Sequence, residues 1–142
     1  MTPNEMETAC RFHRSFPQYS ETPLADLSRL AAYFGVKGIY IKDESFRFDL
    51  NAFKVLGGSY AIAKYIAKQL GKDISEIDYN TLVSDQTKQK LGDITFYTAT
   101  DGNHGRGVAW AANKLRQKSV VLMPKGSSHT RLQNILNEGA DA

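Results

Sequence analysis

The chain has 142 residues, 42% hydrophobic and 23% charged, with a formal net charge of +3, which suits one domain or two partial ones at roughly 150 residues per domain. No apolar run approaches the roughly 18 residues of a membrane span, and the polar stretch up to Arg14 lacks the apolar segment of a secretion signal. Cys10 is the single cysteine, so an internal disulfide is excluded and a reducing, cytoplasmic setting is expected.

In chain order, residues 1–20 read as an irregular arm. Thr22 and Pro23 read as the N-cap and first position of a helix, with Leu24, Leu27, Leu30, Ala31 and Phe34 on one face and Gly35 as its stop. Residues 38–42 form a short strand, 43–51 a polar loop, and 52–69 a helix ended by Gly71. The polar stretch 73–92 holds one short helix and a loop, with Gln86 to Lys90 exposed. Residues 94–99 are a strand rich in Thr, Phe and Tyr, followed by a loop through Gly105 and a helix to about Gln117. Residues 119–123 are the next strand, 124–128 a loop, and 130–138 a helix closed by Gly139. Strands alternating with helices predict an α/β fold with a parallel sheet flanked by helices. The last helix ends where a further strand is due, and the open sheet edge needs cover, so the sequence is expected to be part of a longer chain.

Two stretches carry candidate chemistry. Lys54 opens the second long helix, where its charge opposes the helix dipole. Its neighbours Phe53, Val55 and Leu56 point to an apolar setting, which favours an uncharged, nucleophilic amine; a solvated surface lysine is the plain alternative. The loop from Thr98 to Gly105 lies between a strand and a helix, at the carboxyl end of a sheet strand, where free helix N–H groups bind carboxylate or phosphate. Its glycines, Gly102, Gly105 and Gly107, do not follow the dinucleotide spacing and equally serve close helix packing. Cys10 and His13 have a metal-like spacing but no second pair completes a site, so no metal is expected. The basic residues are scattered; Lys64, Lys68 and Lys72 share a helical face that reads as solvated, so no nucleic-acid or membrane partner is expected.

Taken together, Thr22-Pro23-Leu24, Lys42-Asp43-Glu44, Asn51-Ala52-Phe53-Lys54, Asp101-Gly102-Asn103-His104, Met123-Pro124 and Gly139-Ala140 occur in the order found in fold type II (β-family) pyridoxal-phosphate (PLP) enzymes, which the chain resembles from about Glu21 onward. The resemblance implies PLP as cofactor, Lys54 as its covalent lysine, and Asn103 as hydrogen-bond donor to its phenolic oxygen. It also implies that Thr100, Asp101, Gly102, Asn103 and His104 surround the substrate carboxylate, although His104 reads equally as a structural loop residue. Asp101 stands where the family commonly has serine. A carboxylate there is electrostatically costly, which implies proton transfer: Lys54 on one face of the cofactor and Asp101 on the other would serve both D and L amino acids.

The runs Leu56-Gly57-Gly58-Ser59-Tyr60 and Asn103-His104-Gly105-Arg106-Gly107-Val108-Ala109-Trp110 are similar to the branch of that family that eliminates ammonia from 2,3-diaminopropionate, giving pyruvate and ammonia. The resemblance further implies a large domain that includes residues 1–65, a small α/β domain that includes 66–142, and a homodimer of the longer chain. The phosphate loop and the ring-nitrogen partner are expected downstream, so these residues alone are expected to be inactive. The rival expectations are a threonine or serine dehydratase or serine racemase of the same family, which Asp101 disfavours, and a non-catalytic anion-binding α/β module.

Overall fold

A computed structural model describes residues 2–100 and 102–142; Asp101 lies outside the described residues, and with it the second-base assignment. The N-terminal stretch is not an irregular arm. Helix α1 spans Pro3–Arg14 and starts from a capping box in which the Thr2 hydroxyl accepts from the Glu5 amide and the Glu5 carboxylate accepts from the Thr2 amide. Pro3 sits in the first turn, where its missing N–H is no loss. The helix is polar apart from a narrow stripe that buries Phe12 and His13, which is why overall polarity concealed it.

The helix expected to begin at Pro23 begins later. Residues Leu24–Asp26 instead form strand β1, antiparallel to β2, Tyr40–Lys42, with Leu24 opposite Lys42. Helix α2 follows at Ser28–Phe34, and Gly35 ends it in the left-handed conformation at φ 65°, as expected. Thr22 is not a cap: its hydroxyl donates to Glu44. This strand pair is therefore antiparallel, in contrast to the parallel pairing expected of the sheet.

A 3-10 segment, Glu44–Asp49, leads to helix α3, Lys54–Leu70, which Gly71 terminates at φ 72°. α3 buries Val55, Ile62, Ala63, Ile66 and Ala67 on one face. The stretch 73–92 is more ordered than expected: a 3-10 turn at Ile74–Glu76, α4 at Tyr79–Val83 and α5 at Asp85–Leu91, capped in turn by Asp73, Asp78 and Ser84. Thr87, expected to be exposed, is buried, and its hydroxyl donates to the Thr81 carbonyl.

The second half has the parallel α/β order expected. Strand β3, Thr95–Ala99, is followed by α6, Asn103–Lys114, then β4, Lys118–Leu122, and α7, His129–Asn137. β3 and β4 pair in parallel from Thr95–Lys118 to Ala99–Leu122. After α7, Asp141 bridges Val120 in the parallel sense, where the next strand was due. α6 is the centre of the packing. Val108, Trp110, Ala111 and Ala112 join the main core with Phe12, Phe16, Ile62 and Ile66, whereas Ala109 joins a second cluster with Val121, Ile135 and Ala140. A helix packed on both sides must be apolar nearly all round, and apart from Arg106 the Gly105–Ala112 stretch meets that need, with Gly, Ala, Val108 and Trp110 all buried. No helix among the described residues is long and apolar enough to cross a membrane.

Candidate functional site

The site is assembled where α3 and α6 cross. A Cβ on Gly107 would lie 2.9 Å from the Val55 Cα, 3.0 Å from its amide nitrogen and 3.4 Å from the Lys54 carbonyl carbon. Only a glycine lets the α6 backbone approach the first turn of α3 this closely. At the next contact along, a Cβ on Gly58 would lie 3.4 Å from the Val108 side chain. Gly105 has the same function on the opposite side, where a Cβ would lie 2.8 Å from both the Thr100 methyl and Val121.

Lys54 is the first residue of α3 and Asn103 the first residue of α6. α6 begins about one turn, or ~6 Å, before its contact with Val55, so the two helix starts lie at the same junction. Lys54, Asn103 and His104 are exposed. The apolar cover expected around the amine is not supplied by its neighbours: Val55 turns into the core, and Phe53 is 59% exposed. Gly102 is the N-cap of α6 and offers no side chain, so the first-turn N–H groups have no intrahelical partner and, among the described residues, no side-chain cap. Thr100 fixes the loop behind them: its amide donates to the Leu122 carbonyl at 3.0 Å and its hydroxyl accepts from the Gly102 amide at 3.3 Å. A cavity of about 140 Å³ adjoins this end of α6, lined by Gly102, Asn103, Arg106, Arg131, Asn134 and Ile135. A larger hollow of about 560 Å³ beside α2 is lined by none of the candidate residues.

The segment ahead of Lys54 is held in an unusual conformation. Phe48, Asp49 and Asn51 have positive φ, at 50°, 58° and 56°, a region that non-glycine residues enter at a cost. Packing offsets that cost. Phe48 is buried against Trp110 and Phe16, with ring centroids 4.7 and 5.7 Å apart. Arg47, also buried, donates to both oxygens of Glu44 at 2.8 and 2.9 Å and to the Ser20 carbonyl at 3.2 Å. The Thr22 hydroxyl completes the network by donating to Glu44 at 2.6 Å. The Arg47 hydrogen bond, helped by Thr22, holds the Glu44 carboxyl down at about 2 against an ordinary 4.5.

Sequence reasoning singled out Lys42-Asp43-Glu44 but missed Arg47, although its spacing of three from Glu44 was a usable signal. It also missed Arg106, whose partners lie far away in sequence. Cys10 and His13 do not act together: Cys10 is exposed, and the His13 ring lies between the Ala9 and Leu56 carbonyls and the Ser59 hydroxyl. Among the described residues no group of three or more His, Cys, Asp or Glu could hold a metal ion.

Comparison with known proteins fits this arrangement. Residues 16–142 match the family model "Pyridoxal-phosphate dependent enzyme". A diaminopropionate ammonia-lyase of Salmonella typhimurium is 54% identical over 130 residues, covering 92% of this chain and 32% of that protein. The apo crystal structure of the Escherichia coli diaminopropionate ammonia lyase superposes with a TM-score of 0.89 at 48% identity, over 99% of this chain and 37% of that one. The same E. coli enzyme in complex with D-serine also gives 0.89 at 48% identity, over 99% and 35%. The chain spans about a third of the length of the curated relatives it matches. With an α/β fold that superposes on fold type II enzymes and a lysine set at the junction of two helix starts, the chain belongs to the pyridoxal-phosphate dependent enzyme family.

Proposed function

We propose that this chain contributes the cofactor lysine and the substrate-carboxylate loop of an ammonia-lyase that converts 2,3-diaminopropionate to pyruvate and ammonia. The observation that carries the reading is the crossing at Gly107, which brings the Lys54 end of α3 to the start of α6, where Gly102 offers no side-chain cap. The 54% identity to the Salmonella enzyme supports the choice of substrate.

The residues present fit PLP. The primary amine of Lys54 can condense with an aldehyde, the exposed Asn103 can donate to a ring oxygen, and the α6 amides can hold an anion. Bound PLP would supply an electron sink for negative charge developing at the substrate α-carbon. Lys54 then serves as base towards the α-proton on one face, and Asp101 towards that on the other. One of the two, once protonated, returns its proton to the departing β-amino group. Thr100, Gly102, Asn103 and His104 orient the substrate carboxylate. In the same reading, residues 1–65 fall in the larger domain and 66–142 in the smaller of a cytoplasmic homodimer, and other residues supply the phosphate loop and the ring-nitrogen partner.

Reductive trapping tests the proposal. The longest product carrying this sequence is incubated with PLP, reduced with borohydride and mapped by peptide mass. A single label on Lys54 is expected; label scattered over surface lysines, or none, overturns the assignment. Pyruvate should then form from D- and L-2,3-diaminopropionate faster than keto acid forms from serine or threonine. The opposite order would reassign the enzyme to the dehydratases.

A further inference from the structure

We infer that Arg106 is a positioning residue for Lys54, acting through the strained segment ahead of it; the inference rests on the reading of Lys54 as the cofactor lysine. Arg106 lies one turn into α6, on the wall of the cavity beside Asn103. Its guanidinium connects two parts of the chain that are distant in sequence. Nη1 donates to the Leu50 carbonyl at 3.3 Å, while Nε and Nη2 both reach Oε1 of Glu138 at 2.8 Å. Leu50 is four residues ahead of Lys54, in the middle of the left-handed stretch. Glu138 is the C-cap residue of α7, next to the segment that carries Asp141 onto the sheet edge.

The left-handed stretch needs restraint from both sides, because a chain in that region relaxes unless its surroundings hold it. The Arg47–Glu44 network secures its start. On the Lys54 side, Arg106 reaches its backbone through the Leu50 carbonyl. The pair with Glu138 is largely shielded, with side chains 25% and 16% exposed, so it fixes the guanidinium more firmly than a surface pair does. The planar fork of arginine suits this task, since one group must donate in two directions; an ammonium cannot span both acceptors in the same geometry. The device ties the height of Lys54 to the helix that starts with Asn103.

The test uses the PLP-loaded product, with Arg106→Met, Arg106→Lys and Glu138→Gln. Two readouts are followed: amide hydrogen exchange in residues 48–56 and the pH profile of borohydride trapping at Lys54. Arg106→Met should speed exchange in 48–56 about tenfold without changing it in 62–70, farther along α3, and should shift the trapping profile. Misplacing the reacting group should also lower turnover, by up to about 10²-fold. Arg106→Lys should leave exchange in 48–56 raised, and Glu138→Gln should give a smaller change in the same direction. Should Arg106→Met not fold, Glu138→Gln decides alone. Unchanged exchange and an unchanged profile, with normal labelling of Lys54, overturn the inference alone; an unlabelled Lys54 in the parent overturns the cofactor-lysine reading and its link to Arg106.

Discussion

Gly107→Ala is the sharpest perturbation of the helix crossing. In an unhindered helix interior the change stabilises by about 1 kcal/mol. Here the new methyl would meet the Val55 Cα at 2.9 Å and its amide nitrogen at 3.0 Å. Both are backbone atoms, so no side-chain rotation relieves the overlap, and α3 or α6 must shift by several tenths of an ångström. Overpacking of this kind costs about 1–3 kcal/mol, so we expect a net loss of about 1–2 kcal/mol and slower trapping of PLP at Lys54. Gly57→Ala is the control. It lies on α3 with no heavy atom within 4 Å of its would-be Cβ, and should stabilise by about 0.5–1 kcal/mol. Urea unfolding midpoints of the two variants read the difference directly. A Gly107→Ala protein as stable as the parent, with unaltered trapping, would refute the close approach on which the site depends.

Asp101→Asn should depress activity towards one enantiomer of 2,3-diaminopropionate about 10²- to 10⁴-fold more than towards the other, and equal rates of pyruvate release from both would end the two-base reading. Glu44 is held at about 2 in the folded chain against 4.5. The stability it contributes is therefore present above about pH 4.5 and lost as pH falls towards 2, and Glu44→Gln should flatten the stability profile in that window. Burial lowers the pKa of His13 below its ordinary 6.5. The unfolded chain therefore takes up that proton first, and stability falls as pH drops below about 6.5. Unfolding midpoints measured from pH 7.5 to 5 should show this fall, and His13→Gln should remove that step.

The elements that sequence revealed best are those whose signal is local. Gly35, Gly71 and Gly139 all take positive φ at the ends of helices, and the β3–α6–β4 order follows from apolar runs broken by turns. The candidate loop was legible for the same reason, since Thr100 follows β3 directly and Asn103 and His104 open α6. The failures are non-local. Leu24, Leu27 and Leu30 have helical spacing, yet pairing with β2 turns residues 24–26 into a strand. Arg47 and Arg106 were assigned no role, and the fold brings Ser20, Leu50 and Glu138 to them. Gly107 was seen as a packing residue, but its partner, the first turn of α3, could only be learned in three dimensions.

Phe48-Asp49-Leu50-Asn51 reads as a mildly polar string, yet three of its four residues adopt the left-handed conformation. Its letters are therefore instructions to the backbone rather than reagents. In a saturation library, positions 49 and 51 should accept Asn, Asp and Gly and reject Val, Ile and Thr, whatever their charge. A variant chosen for hydrophobicity or helix propensity would fail here, while one chosen for its tolerance of positive φ would survive.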